Sequence, residues 1–199
     1  MRESDDRKTK IRLLSPGYSA RQALMLLLHT DPSLDLREVE DVYYPYVRFR
    51  YLIQVGKGKL MKKLNKYSDC IVDRVSGSVY EAKGEPEYVE QEIWKEDMLD
   101  VEVPLDQCLD TAHDFTMKMY ISKGKLMMTP KMQVIEEEEF YKRFYVVTCR
   151  DENDQEYHIM VDAVDGGISV LDNEYQLALE EDLPEEIPQI ETKGVSSHE

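Results

Sequence analysis

The sequence predicts an α+β protein built as two tandem units, each a single helix packed on an antiparallel β-meander. Three observations carry that expectation. Val72-Asp73-Arg74-Val75-Ser76-Gly77 returns as Val161-Asp162-Ala163-Val164-Asp165-Gly166, the pattern V-D-x-V-[S/D]-G. Upstream of each copy stands a second matched piece, Tyr46-Val47-Arg48-Phe49 and then Tyr141-Lys142-Arg143-Phe144. The gap between the pieces is six residues longer in the first copy, a difference that loops absorb at small entropic cost. A helical stretch precedes each copy and short extended runs accompany it. The expected boundaries are a flexible N-terminus (1–14), unit one (15–83), an acidic linker (84–99), unit two (100–172) and an acidic disordered tail (173–199).

In unit one, Ser19 is the expected N-cap of a helix over 20–30, where Ala20, Ala23, Leu24, Leu27 and Leu28 share a face and Asp31-Pro32 ends the run. Residues 36–55 read as extended. Val47, Phe49, Tyr51, Ile53 and Val55 alternate with Arg48, Arg50 and Gln54, so one face is apolar. Pro45 marks an edge, a bulge or a break. Gly56-Lys57-Gly58-Lys59 is a turn, followed by strands at 60–64, 69–72 and 78–81. The linker holds the one tryptophan, Trp94, on a short helix with Val89 and Ile93, where it anchors the linker to a domain. In unit two, Pro104-Leu105-Asp106 opens a helix whose Leu105, Cys108, Leu109, Ala112 and Met119 share a face. Strands follow at 132–135, 140–149, 156–162 and 168–171, with a polar turn at 150–154. The tail, with Pro184, Pro188 and many acids, has the composition of a disordered segment. Lys57-Gly58-Lys59-Leu60-Met61 also recurs letter for letter as Lys123-Gly124-Lys125-Leu126-Met127, but in a different register, and reads as coincidence.

Forty-one acids against 25 bases leave a net charge of −16, which disfavours nucleic-acid phosphate and anionic membranes as partners. Cys70, Cys108 and Cys149 are odd in number and lack metal-ligand spacing, so they read as buried free thiols in a reducing compartment. The charged N-terminus is followed by no signal-peptide core, and the apolar run 23–28 is too short to span a bilayer. A cytoplasmic protein without membrane insertion is expected.

The residues that could carry chemistry have simpler structural readings. Alternation puts Val72 and Val161 on a core face and Asp73 and Asp162 opposite, while Asp or Ser before Gly suits a tight turn. Glu136-Glu137-Glu138-Glu139 points to alternate faces of a strand, which spoils it as a cation site. His29, His113 and His158 have no catalytic partner at a recognisable spacing, and Gly56-x-Gly58 precedes no helix signal. No catalytic residue, metal or cofactor is therefore assigned.

The aromatics offer more. Tyr43, Tyr44, Tyr46, Phe49 and Tyr51 put five rings within nine residues, and Tyr141, Tyr145, Val147 and Cys149 line one face of a later strand. Such faces must be covered by the other unit, by the linker, by a second copy in a homodimer, or by a partner. Tyr44, Tyr46, Arg48, Tyr141, Arg143 and Tyr145 are the expected partner-binding residues, with the two arginines at the rim, because Tyr and Arg carry interface energy.

The stretch 144–149 with 156–168, Phe144-Tyr145-Val146-Val147-Thr148-Cys149 and then Glu156 through the V-D-A-V-D-G motif to Ile168, resembles the PepSY repeat. That repeat is a helix followed by strands, closed by V-D-A-x-T-G; Asp165 stands where the usual Thr would be, and in unit one Arg74 replaces the Ala. The tandem plan is also similar to that of the β-lactamase inhibitory proteins, whose two helix-plus-meander units form a concave sheet that grips a partner. Both resemblances imply binding rather than catalysis. The expected function is a non-enzymatic protein-binding module, an inhibitor or an accessory regulatory subunit, that uses an aromatic sheet surface. The alternative is a small-molecule or peptide sensor with a pocket between helix and sheet lined by Phe49, Tyr51 and Met119.

Overall fold

The computed structural model describes residues 7–55, 64–124, 130–150 and 155–171. Their strands form one eight-stranded mixed sheet: β1 (Lys8–Leu14), β2 (Asp35–Val55), β3 (Leu64–Asp73), β4 (Val79–Glu81), β5 (Tyr88–Trp94), β6 (Lys131–Arg150), β7 (Glu156–Asp162) and β8 (Ile168–Leu171). The helices among these residues are α1 (Ala20–Thr30) and α2 (Leu105–Gly124), with one 3-10 turn at Lys95–Asp97. Strand makes up 54% and helix 22% of the described residues, so the expected pair of tandem helix-on-meander units is not what forms. One continuous sheet replaces them.

The spine of the sheet explains the correction. β2 and β6 run antiparallel along nearly their whole length, from Asp35↔Arg150 to Gln54↔Lys131. A strand of 21 residues spans roughly 70 Å at about 3.3 Å per residue. Its C-terminal half pairs with β3 from Tyr46 onward, whereas its N-terminal half lies beside the part of β6 that pairs with β7. Residues 31–34 alone connect α1 to the start of β2. That short tether holds α1 over the far end of the spine, where Ala23 and Leu27 pack on Tyr145, Val147, Cys149, Ile159, Val161 and Ala163. Correspondingly, Cys108 and Ala112 of α2 pack on Val47, Phe49, Tyr51, Ile53, Cys70 and Val72. Each helix covers the meander that sequence order assigned to the other. The alternation of β2 and β6 puts both helices on one face of the sheet.

The recurring V-D-x-V-[S/D]-G element is a turn built the same way twice. Asp73 Oδ1 accepts from the Val75 and Ser76 amides, and Asp162 Oδ1 from the Val164 amide. Gly77 N donates to Asp73 O and Gly166 N to Asp162 O, with φ of 73° and 75° at the two glycines. The middle residue of each turn also receives a helix entry. Gly17 N and Tyr18 N donate to Ala163 O, while Glu102 N and Val103 N donate to Arg74 O. The upstream pieces do not correspond, however. Tyr46 pairs with Asp73 and Phe144 with Asp162, so Arg48 matches Val146 and not Arg143.

The two glycines differ in their surroundings. A Cβ on Gly166 would stand 3.0 Å from Tyr18 Cζ and 3.2 Å from Leu26 Cδ2, whereas one on Gly77 would meet Val103 Cγ2 at 3.7 Å. Both alanine variants are expected to lose about 1–2 kcal/mol for a left-handed L-residue, and Gly166→Ala more than Gly77→Ala. Urea midpoints decide it; an equal or larger loss at Gly77 would show that the Tyr18 contact is soft.

Several element assignments also change. Residues 8–14, expected to be flexible, form β1, and the linker forms β5, antiparallel to it from Lys8↔Trp94 to Leu14↔Tyr88. The pattern K-T-K-I-R-L-L alternates, so Ile11 and Leu13 are buried with Tyr43 and Ile93 in a third cluster. Trp94 anchors nothing deep: it is 41% exposed, with Lys8 Nζ 4.5 Å from its ring centroid. The strands expected at 132–135 and 140–149 are one strand, and Pro45 lies unbroken within β2. The Ser19 cap holds, with Gln22 completing a capping box. Residues 56–63 and 173–199 lie outside the described residues, and with them most of the strand expected at 60–64 and the tail.

Candidate interaction face

Among the described residues no helix covers the second face of the sheet, and its centre is aromatic and ionic. Tyr46 of β2 stacks on Phe140 of β6 (5.7 Å, 19°), Tyr44 meets Phe144 edge-on (4.9 Å), and Tyr88 at the start of β5 tilts against Phe140 (5.3 Å). Register explains the set, since Tyr46↔Phe140 and Tyr44↔Lys142 are cross-strand partners on one side of the pleat. Burial and then the nearby Asp73, with Tyr80, Tyr44 and Asp162 adding, push the Tyr46 phenol far above its ordinary range. Tyr88 is pushed up to about 12 by burial and by Glu138. Both phenols are therefore neutral at physiological pH and present O–H groups rather than charges.

Beside the rings, further along the same face, lies a network around Arg48, which is 3% exposed. Its guanidinium reaches Glu138 (2.8 Å), Asp69 (3.2 Å) and Glu85 (3.2 Å). Burial works against the charge, but the Glu138 and Asp69 carboxylates outweigh it and hold Arg48 firmly protonated. Arg50 shares Glu85 (2.6 Å) and Glu136 (3.5 Å), and Arg12 of β1 shares Glu138 (3.1 Å). Arg50, by hydrogen bond, and then Arg48 hold the exposed Glu85 carboxyl below the usual carboxylate range.

The six expected partner-binding residues divide between the two faces. Tyr44, Tyr46 and Arg48 belong to the helix-free face, where both tyrosines are half-buried and Arg48 is internal rather than at a rim. Tyr141, Arg143 and Tyr145 belong to the helix-covered face. Tyr145 is 1% exposed beneath α1 and donates its hydroxyl to Tyr18 O at 2.9 Å. Tyr141 packs against the third cluster. Arg143 lies over the Tyr43 ring (5.2 Å) and donates to Gln91 Oε1 (2.8 Å). Register sets Tyr44, Tyr46 and Arg48 of β2 beside Lys142, Phe140 and Glu138 of β6, so they cannot share a face with Tyr141, Arg143 and Tyr145.

Sequence reasoning missed Arg12, Tyr80, Tyr88, Glu85, Glu138 and Phe140. Arg12 was legible in the alternation of β1; Glu85 and Tyr88 were hidden in a segment read as linker. The glutamate run divides as alternation requires, with Glu136 and Glu138 toward the arginines and Glu139 paired with Arg74. Asp162 is tied to Lys142. Among the described residues no group of three His, Cys, Asp or Glu could hold a metal, and no helix is long and apolar enough to cross a membrane. The three cysteines are free and buried, and burial pushes the Cys70 thiol up to about 11.

Fold and face together describe a two-layer protein with helices on one side and an aromatic, ion-paired sheet surface on the other. The chain matches no protein-family model, no curated protein and no solved structure.

Proposed function

We propose that the chain is a non-enzymatic protein-binding module, an inhibitor or accessory subunit, whose contact surface is the helix-free face. The observation that supports this reading is the tyrosine set on that face. Tyr44 and Tyr46 are half-buried at its centre, while Tyr80 is 53% exposed near them. Tyrosines held by strand register give a partner large, rigid contact area at low entropic cost. Arg48 lies beside them on the same strand face, tied to Glu138, Asp69 and Glu85. The resemblance of the second meander to PepSY repeats agrees with a binding role. Phe49 and Tyr51 are packed against α2 at 0% and 1% exposure, so the sensor alternative finds no open lining there.

A photo-crosslinker at Tyr80 in the native cell is expected to capture one stoichiometric protein that the same crosslinker at Met25, exposed on α1, does not. Tyr80→Glu is expected to weaken binding of that protein at least about tenfold with an unchanged thermal midpoint, the loss of an interface tyrosine being worth about 1.4 kcal/mol or more. Equal capture from both positions, or a Tyr80→Glu variant that binds normally, removes the helix-free face as the contact surface.

A further inference from the structure

In strand order β2 lies between β3 and β6, but β3 flanks it only from Tyr46 onward. From Asp35 to Val42 it pairs with β6, and no strand among the described residues lies on its other side. The 3-10 segment closes this edge at one point, where Tyr43 bridges Met98 and Tyr43 O accepts from Leu99 N. That bond also fixes which groups face outward, because successive residues of a strand turn their N–H and C=O to opposite sides. Tyr43 faces outward, as does Pro45, whose carbonyl accepts from Arg74 N. Val39 and Asp41 therefore present N–H and C=O to the open edge. Between and before them, Glu38 and Glu40 are exposed on the helix-free face, in register with Thr148 and Val146 of β6.

An unpaired edge is a template for another strand, and its charges select which strand. Neighbouring Arg37 is held by Asp35, and neither Glu38 nor Glu40 is ion-paired among the described residues. The charge stays negative along the edge: burial, then Asp41, Glu96 and Glu40, hold the Asp97 carboxyl above its ordinary range. A second copy paired through this edge would set like charges against each other, which destabilises a ladder. The molecule already contains the complementary pairing. β5 carries Glu90 and Glu92 at the spacing of Glu38 and Glu40, and antiparallel β1 sets Arg12 opposite Glu90 and Lys10 opposite Glu92. Lys10 is ion-paired with Glu90. We propose that the open edge of β2 takes up an extended basic segment of a partner protein as an added antiparallel strand, with alternate Lys or Arg side chains meeting Glu38 and Glu40. This rests on the binding-module reading and names the chemistry of the partner. Main-chain hydrogen bonds to Val39 and Asp41 give affinity, and the alternate side chains give selection.

The probe is a peptide that alternates lysine with valine, titrated into the full chain at physiological salt and followed by backbone amide shifts. The Val39 and Asp41 amides should shift saturably. In an antiparallel addition the residues opposite Glu38 and Glu40 turn their N–H away from β2, and those between turn it toward β2. N-methylation of the valines should therefore weaken binding at least about tenfold, and N-methylation of the lysines by less than about twofold, at identical peptide charge. Glu38→Lys/Glu40→Lys should also weaken binding at least about tenfold, with no fall in thermal midpoint because both side chains are exposed. Asp110→Lys/Asp114→Lys, exposed on α2, changes net charge equally and should leave binding within about twofold. Equal losses from the two N-methylated peptides, or from the two protein variants, would mean general attraction to an acidic chain and overturn the proposal. So would equally tight binding of a threonine–valine peptide, or self-association that protects the Val39 and Asp41 amides. Peptide binding that survives Tyr80→Glu leaves the edge standing whatever becomes of the tyrosine face. No peptide binding, with Tyr80→Glu still releasing the captured protein, sinks the edge alone.

Discussion

Tyr145→Ala is expected to lower folding stability by about 3–5 kcal/mol, the range for removing a large buried ring that leaves a cavity. The ring is 1% exposed and forms one floor with Val147, Ile159 and Val161 under Ala23 and Leu27. Its hydroxyl ties the entry of α1 to β6 through Tyr18 O. Truncation therefore removes both the surface on which α1 rests and one bond that sets where α1 begins. Tyr145→Phe keeps the ring and should lose only about 1 kcal/mol, the net worth of one hydrogen bond. Urea unfolding of both variants tests the division. Similar losses in the two would mean that the hydroxyl, and not the packed ring, holds α1. A Tyr145→Ala variant of normal stability would mean that the helix is held elsewhere.

Arg48→Ala should cost about 3–5 kcal/mol near neutral pH, because removing one member of a buried charge set strands its partners. Asp69 and Glu138, with side chains 16% and 19% exposed, would then face one another without the central cation. The loss should shrink when the whole set is made neutral: Arg48→Met with Asp69→Asn and Glu138→Gln should be more stable than Arg48→Ala. The pH dependence has a defined sign. The Glu85 carboxyl is held down by Arg50 and Arg48, so its contribution is present above its unfolded value and is lost as pH falls through the lower folded one. Acid thus erodes wild-type stability through this network while Arg48→Ala has less to lose, and the gap between them should narrow below about pH 4. Parallel stability curves from pH 7 to about pH 3 would show that the network is not a source of stability.

Much of the local structure was readable. The Ser19 cap, the helical faces of α1 and α2, the alternation of Val47, Phe49, Tyr51 and Ile53, and the glycine turns after Asp73 and Asp162 all rest on interactions within a few residues. Even β1 was visible in K-T-K-I-R-L-L, though its charge disguised it as a tail. The candidate site was legible in part. Tyr44 and Tyr46 belong to an open face, but Tyr145 lies beneath a helix, and nothing local tells which face of β6 a helix will cover.

The chain by itself determined its turns, its caps and the two-residue period of its strands, because those depend on neighbours in sequence. It also determined that one turn design is used twice. Only the tertiary structure decided which strands lie side by side. Pairing β2 with β6 over their full length moved α1 onto β6 and β7 and brought Arg12, Glu85 and Glu138 to Arg48. The physical reason is reach. A strand of 21 residues carries its own beginning far from its hairpin, and the connection of four residues from α1 can follow only the beginning.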